Sequence, residues 1–374
     1  MRYVSRNRPF VVRKGAEDWK ARRMWNAKYL TEVMQHQTVN VAVTPHGNAD
    51  SIVELEDDDL LFVKPYSTSA PFSAVIRSIQ SQEHHPSGHT SATRYAQTQN
   101  DNLRNEYISL FSDVPKDIPF AKIALEKGPD AINFWLGNSH STTALHKDNY
   151  ENVYVQVLGK KHFTLLPPVE SACVNEKAVL AATYAPRDSL PSSRSSSPLD
   201  LHSTPGTSPG VMSEADQEAA LKDLVICVDE PEESVPFATW DPDEPGKRPT
   251  PFSKHSQPLR VTLDEGDMLY LPALWYHKVT QTCSTEAICC AVNYWYDLDF
   301  SGSFWPLSTF TRGIGLLSTR QNLGQEDGVI EHEGRRKGDQ VGVGGGIGGR
   351  DVVEIVDPPY EDQWYDYGME IMHY

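Results

Sequence analysis

No apolar run in this chain approaches the length needed to cross a bilayer, so a helical membrane span is not expected. The N-terminal stretch Met1 to Lys14 is rich in Arg but has no continuous apolar centre, so it does not read as a secretory signal. Cysteine is scarce. The five residues, Cys173, Cys227, Cys283, Cys289 and Cys290, form no CxxC pair and are odd in number. That spacing excludes a disulfide framework and a Cys/His zinc module, and it points to a reducing compartment: the cytoplasm, with the nucleus left open. Basic residues are few beside acidic ones, 34 against 51, for a net charge of −17. Phosphate contacts require clustered Lys and Arg, so nucleic acid is not an expected partner. An acidic surface attracts basic partners instead, including Lys-bearing protein segments, although acidity also simply keeps a protein soluble.

What is present divides by pattern. Residues 1–125 read as an α/β support region. Trp25, Tyr29, Leu30, Val33 and Met34 fall at helical spacing and predict one amphipathic helix within Ala16 to His36. Its apolar face could support a homodimer or bury inside the monomer. Val39, Val41 and Val43 alternate as a strand, the run Glu54 to Asp59 reads as a solvated loop, and Phe72, Val75, Ile76 and Ile79 mark a second helix.

Residues 126–315 are mainly β. Asn133 to Gly137 predicts a strand, as does the alternation through Ile288, Cys290, Val292 and Tyr294. Val153 to Val157 followed by Leu158-Gly159-Lys160 and Lys161 to Leu166 predicts a β-hairpin, and Leu259 to Leu263 with Met268 to Leu271 predicts another. Short strands with tight turns suit a jelly roll or barrel. A Ser/Pro-rich insertion at 187–220 and a Gly-rich, acidic tail at 322–374 lack the apolar residues of a packed core and read as disordered.

The chemistry gathers at His146-Lys147-Asp148. Two residues apart on an extended segment, an imidazole and a carboxylate aim at the same side. They form two thirds of a two-His-one-carboxylate site, the arrangement that suits non-haem Fe(II). Candidates for the third ligand are His140, His162, His202, His255 and His277. His202 lies in the insertion, and His162 faces away from its neighbour Lys161. His277 has the strongest context, at the end of the apolar run Leu269 to Tyr276.

These residues sit in blocks that resemble the JmjC/cupin-like Fe(II)- and 2-oxoglutarate-dependent oxygenases: Asp130 to Gly137, Leu145 to Asn152, Gly159 to Phe163 and Gly266 to His277. The resemblance covers about residue 3 to about 315, apart from the insertion, and extends upstream through Asn7-Arg8-Pro9 and Val41 to Pro45. It implies a double-stranded β-helix core with C-terminal helices. It implies His146, Asp148 and His277 as iron ligands and Lys161, fifteen residues after His146, as the partner of the far carboxylate of 2-oxoglutarate. Thr143 and Tyr95 would assist with hydroxyls, and Asn152 and Asn293 would line the same pocket. Lys147 is expected to point away from the metal.

The resemblance further implies O₂ as a cosubstrate and a protein substrate hydroxylated on a lysine side chain, with GTP-binding proteins of the translation-factor class as the nominated targets. Two rivals stand beside it. A histone lysine demethylase is one, although such enzymes generally carry Glu where this chain has Asp148 and append chromatin-reading modules. A cupin-like binding protein without turnover is the other. Trp135, Tyr150, Trp275 and Trp295 are candidates for a substrate pocket or for the core.

Overall fold

In the computed structural model, which describes residues 3–55, 59–84, 92–99, 101–187 and 223–326, the alternating segments become strands. The first third forms β1 (Phe10–Val12), α1 (Lys20–Met24), α2 (Ala27–Val33), β2 (Thr38–Thr44), β3 (Asn48–Ala49), β4 (Ser51–Glu54), β5 (Leu60–Lys64), β6 (Tyr66–Pro71), α3 (Phe72–His84), β7 (Thr93–Tyr95) and α4 (Pro119–Leu125). There follow β8 (Ala131–Gly137), β9 (Thr142–Lys147), β10 (Tyr150–Leu158), β11 (Lys160–Leu166), β12 (Glu176–Pro186), β13 (Leu224–Val228) and β14 (Ser234–Ala238). The rest comprises β15 (Leu259–Leu263), β16 (Met268–Leu271), β17 (Tyr276–Thr282), β18 (Cys289–Asp297) and α5 (Phe304–Glu326).

Two five-stranded sheets make the core, ordered β1-β16-β10-β18-β8 and β15-β11-β17-β9-β3. Between them pack Tyr154, Phe163, Leu165, Leu263, Leu269, Leu271 and Val279. The outer face of the first sheet, with Phe134, Val153, Val155, Val292 and Tyr294, is covered by Trp25, Leu30, Met34 and the α3 residues Val75, Ile76 and Ile79. That sheet is therefore apolar on both faces, which is why β10 and β18 are buried almost end to end. Full burial of a side chain such as Phe134 or Phe163 contributes about 1.5–3 kcal/mol. The first 125 residues supply β1 to one core sheet and β3 to the other. Strands β13-β12-β5-β4, with β14 on β12, and β6-β2-β7 make two flanking sheets.

Three expectations change. Neither predicted hairpin exists: β10 pairs with β16 and β18, whereas β11 pairs with β15 and β17, and the β15–β16 turn also crosses between sheets. Gly159, at φ 71°, makes the first corner in the left-handed region that glycine adopts without strain. The single N-terminal helix is two helices. Trp25 turns extended between them and donates from Nε1 to buried Asp113 at 2.9 Å, and the Asn26 side chain caps α2 by accepting from Tyr29 N. Their apolar face, through Trp25, Leu30 and Met34, is buried within the chain and not presented to a second copy. Finally, one helix, α5, follows the core among the described residues, where helices were expected.

The insertion lies outside the described residues from 188 to 222, and its ends are neighbours, Pro186 opposite Leu224. The tail lies outside them beyond Glu326, and so does the centre of the acidic run, 56–58. No helix among the described residues is long and apolar enough to cross a membrane.

Candidate metal centre and cosubstrate pocket

Antiparallel pairing of β9 with β17 sets His146 directly opposite His277, and Asp148 follows one residue after β9 ends. The rings of the two histidines lie 4.1 Å apart. Asp148 Oδ1 is 3.6 Å from His146 Nε2, and Oδ2 is 3.5 Å from His277 Nε2. One donor atom from each residue falls within 4.8 Å of the other two. The segment bearing Asp148 is tied to the one bearing His277 by a 2.8 Å bond from Leu274 N to the Asp148 carbonyl. Leu274 holds φ 69°, a conformation that costs a side-chain-bearing residue about 1–3 kcal/mol and persists only where its surroundings impose it.

The tautomers follow from the backbone. His146 Nδ1 lies 2.8 Å from the Ala144 carbonyl and His277 Nδ1 3.1 Å from the Trp275 carbonyl. A carbonyl only accepts, so each Nδ1 carries a proton, and Nε2 is the nitrogen each ring turns toward Asp148 for ligation. Burial, together with the neighbouring His146, holds the His277 imidazole down at about 4, which keeps it neutral and able to ligate at pH 7. Asp148 Oδ1 is buried and has no hydrogen-bond partner. Two imidazole nitrogens and an unsatisfied carboxylate oxygen pointing at one place form a donor set for a divalent cation, and the N₂O combination suits Fe(II) with open positions.

A second polar group stands nearby in the strand order. Lys161 on β11 is 3% exposed. Its Nζ donates to Tyr95 Oη at 2.9 Å and lies 5.2 Å and 6.0 Å from the Tyr95 and Tyr154 ring centres. Burial pulls the ammonium's pKa down, but the Tyr154 and Tyr95 hydroxyls raise it above the ordinary lysine value. Lys160 beside it is exposed and pairs with Asp264 at 2.8 Å, whereas no Asp or Glu among the described residues pairs with Lys161. An ammonium buried without a carboxylate suits an anionic ligand. Lys161 opens onto a narrow cavity lined also by Thr44, Thr93, Tyr95, Gln97, Ser141 and Thr143. Tyr95 reaches it over Gly137, where a Cβ would fall 2.2 Å from the Tyr95 ring.

The structure therefore brings His146, Asp148 and His277 to one point, and Lys161, Tyr95 and Thr143 to one cavity. Asn152 and Asn293 do not line that cavity. Asn293 donates to Asn152 Oδ1 at 3.2 Å and accepts from Trp135 Nε1 at 2.8 Å. The aromatic candidates separate too. Trp135, Trp295 and Tyr150 form a row continuing from Tyr95, with Tyr150 stacked on Trp295 at 5.1 Å. Trp275 belongs to the core and donates to the Asn7 carbonyl at 3.0 Å. His162 bonds the hydroxyls of Thr262 and Thr282, the His140 backbone carbonyl sits against Gly47, and His255 is exposed at the end of the turn Ser253–His255. His202 lies outside the described residues.

Sequence reading missed Asp50, a half-buried residue between β3 and β4. Burial raises its carboxyl to about 6, with His146 the first influence opposing that rise and a Gln97 hydrogen bond also opposing it. Its neighbourhood with His146 depends on β3 pairing parallel to β9, for which residues 48–50 give no periodic signal. Thr44, Thr93, Gln97 and Ser141 were missed for the same reason.

Two histidines and an aspartate converging at the end of a jelly roll are the arrangement of a cupin-type metal centre. Comparison with known proteins agrees: the family described as "Cupin-like domain" matches residues 1–302. The chain belongs to this cupin-like JmjC family, whose members include iron- and 2-oxoglutarate-dependent dioxygenases. It is 33% identical over 317 residues to the human "Bifunctional peptidase and (3S)-lysyl hydroxylase JMJD7", covering 84% of this chain and 86% of that protein. It is 32% identical to "Lysine-specific demethylase JMJ32" of Arabidopsis thaliana, covering 80% and 78%. It is 29% identical to "JmjC domain-containing protein E" of Dictyostelium discoideum, covering 80% of each.

Proposed function

We propose that this protein is an Fe(II)- and 2-oxoglutarate-dependent protein hydroxylase acting at a carbon of a lysine side chain, with a GTP-binding protein of the translation-factor class as the nominated target. One observation carries the cosubstrate: the buried Lys161 ammonium, without a carboxylate partner among the described residues, on the strand paired with the one that bears His277. The human relative named a lysyl hydroxylase supports the lysine.

His146, Asp148 and His277 would hold the iron, which together with 2-oxoglutarate and O₂ supplies the oxidising power for C–H hydroxylation. The chain's own groups bind, orient and exclude water. Lys161 pairs with the far carboxylate of 2-oxoglutarate, and the Tyr95 and Thr143 hydroxyls complete its hydrogen bonds. The Nδ1–H bonds to the Ala144 and Trp275 carbonyls orient both rings so that Nε2 of each is the ligating nitrogen.

A second reading, demethylation of a methylated lysine, is favoured by the Arabidopsis relative's name. Both readings are tested by mass spectrometry of candidate GTP-binding proteins and methylated histone peptides after incubation with the protein, Fe(II) and 2-oxoglutarate. A lysine gaining one oxygen supports hydroxylation, and loss of a methyl group supports demethylation. Absence of succinate formation with any protein substrate, together with absence of 2-oxoglutarate binding, leaves the non-catalytic binding protein.

A further inference from the structure

The face of the β9–β17 pair opposite the metal ligands is itself a polar assembly. Lys147 lies between His146 and Asp148 in the chain, and Tyr276 precedes His277; the two are register partners, one turned away from the ligands on each strand. Lys147 Nζ sits 5.4 Å from the centre of the Tyr276 ring. Glu176, the first residue of β12, has a side chain only 6% exposed and stands 3.8 Å from Lys147 Nζ. Arg312, from α5, closes the group. Its Nε lies 2.9 Å and 3.0 Å from the two Glu176 oxygens, and its Nη2 also bonds Oε1. Helix α5 is seated on the turn Pro168–Cys173, with Gly315 against Ala172.

These contacts join the C-terminal helix to the two residues that flank the ligands. A fork of two parallel bonds from Arg to a carboxylate fixes orientation as well as distance. The backbone of β9 that Lys147 anchors is the same backbone that aims His146 and Asp148.

We propose that Arg312 and Glu176 form a clamp behind the metal centre, through which α5 holds β9 and β17 in ligating register; Arg312 is thus a positioning residue for His146, Asp148 and His277. The test is anaerobic titration of the full-length, metal-free protein with Co(II), read by its d–d absorption, with far-UV circular dichroism to verify folding. Arg312→Ala should raise the Co(II) Kd about 10-fold, the low end of the loss seen when groups supporting metal ligands are removed, and should change the d–d band. Arg312→Lys should recover part of the affinity. A purely Coulombic role predicts the opposite sign, because loss of a nearby cation favours a divalent ion. Folded Arg312→Ala protein with wild-type or tighter Co(II) binding overturns the clamp. If that variant does not fold, Arg312→Gln, which keeps the stem out to Cδ and removes the guanidinium and its charge, is read in the same way. Wild-type protein that binds no Co(II) overturns the metal centre and the clamp together.

Discussion

Lys161 shows what a single residue in this site has to do. Its ammonium is buried against two tyrosine rings with no carboxylate partner among the described residues, and in the proposed function that charge meets an anionic ligand. Lys161→Met keeps the apolar stem and removes the charge. A charge-assisted hydrogen bond is worth about 1.5–3 kcal/mol, so 2-oxoglutarate binding should weaken about 10–100-fold while Mn(II) binding stays unchanged. Calorimetric titration of 2-oxoglutarate into Mn(II)-loaded protein measures it, and wild-type affinity would remove Lys161 from the cosubstrate site. His277 carries a pH prediction. Its pKa falls from 6.5 unfolded to about 4 folded. Between those values the unfolded chain binds more protons, so acidification favours unfolding. The stability contributed is complete above 6.5 and is lost as pH falls to about 4, on the order of 3 kcal/mol at about 1.4 kcal/mol per pH unit. Urea midpoints of metal-free protein across that range should decline, and His277→Asn should flatten the decline. At this scale much was legible: the period of two put His146 and Asp148 on one side and separated Lys161 from Lys160. Asp50, Gln97 and Arg312 were not legible, because each meets its partners only through pairings distant in sequence.

Elements were easier to find than to assign. Alternation in Val153 to Leu166 marks two strands and a turn, but it carries no information about which sheet each strand joins. β10 finds β16 and β18 more than a hundred residues later, and the Gly159 corner sends β11 to the opposite sheet. Local pattern therefore suggested hairpins, while nonlocal pairing made a jelly roll. The same pairing explains why small residues matter where elements cross. Strand β8 ends at Gly137, directly under the Tyr95 ring of β7. Gly137→Ala should force Tyr95 off Lys161 and cost about 1–3 kcal/mol as overpacking. Chemical denaturation should report that loss, with a parallel fall in 2-oxoglutarate affinity. A variant with wild-type stability and wild-type 2-oxoglutarate binding would show that Tyr95 is free to move and is not required at the cavity.

Across the whole molecule, the core sheets are stabilised by burial while the ligand cluster works against folding. Helices α1 to α3 cover one face of the first sheet, and the inter-sheet side chains fill the other, so the frame has apolar support on both sides. Into that frame the chain places a buried carboxylate oxygen with no partner and two imidazole lone pairs aimed at it. Without a cation, those three groups gain nothing from proximity and lose hydration. With a cation, binding selects the folded state and adds RT ln(1 + [L]/Kd), about 2.7 kcal/mol at a hundredfold excess over Kd. For a chain of this size that is a rise in Tm of about 3–4 °C. Asp148→Ala should therefore behave in two ways at once: its metal-free Tm should equal or exceed that of metal-free wild type, and the rise on adding Mn(II) or Co(II) should vanish. Thermal melts with and without metal, against chelator-treated controls, decide it. A variant that melts well below metal-free wild type would mean that Asp148 stabilises the frame itself, and a retained metal-dependent rise would mean that the ion is held elsewhere.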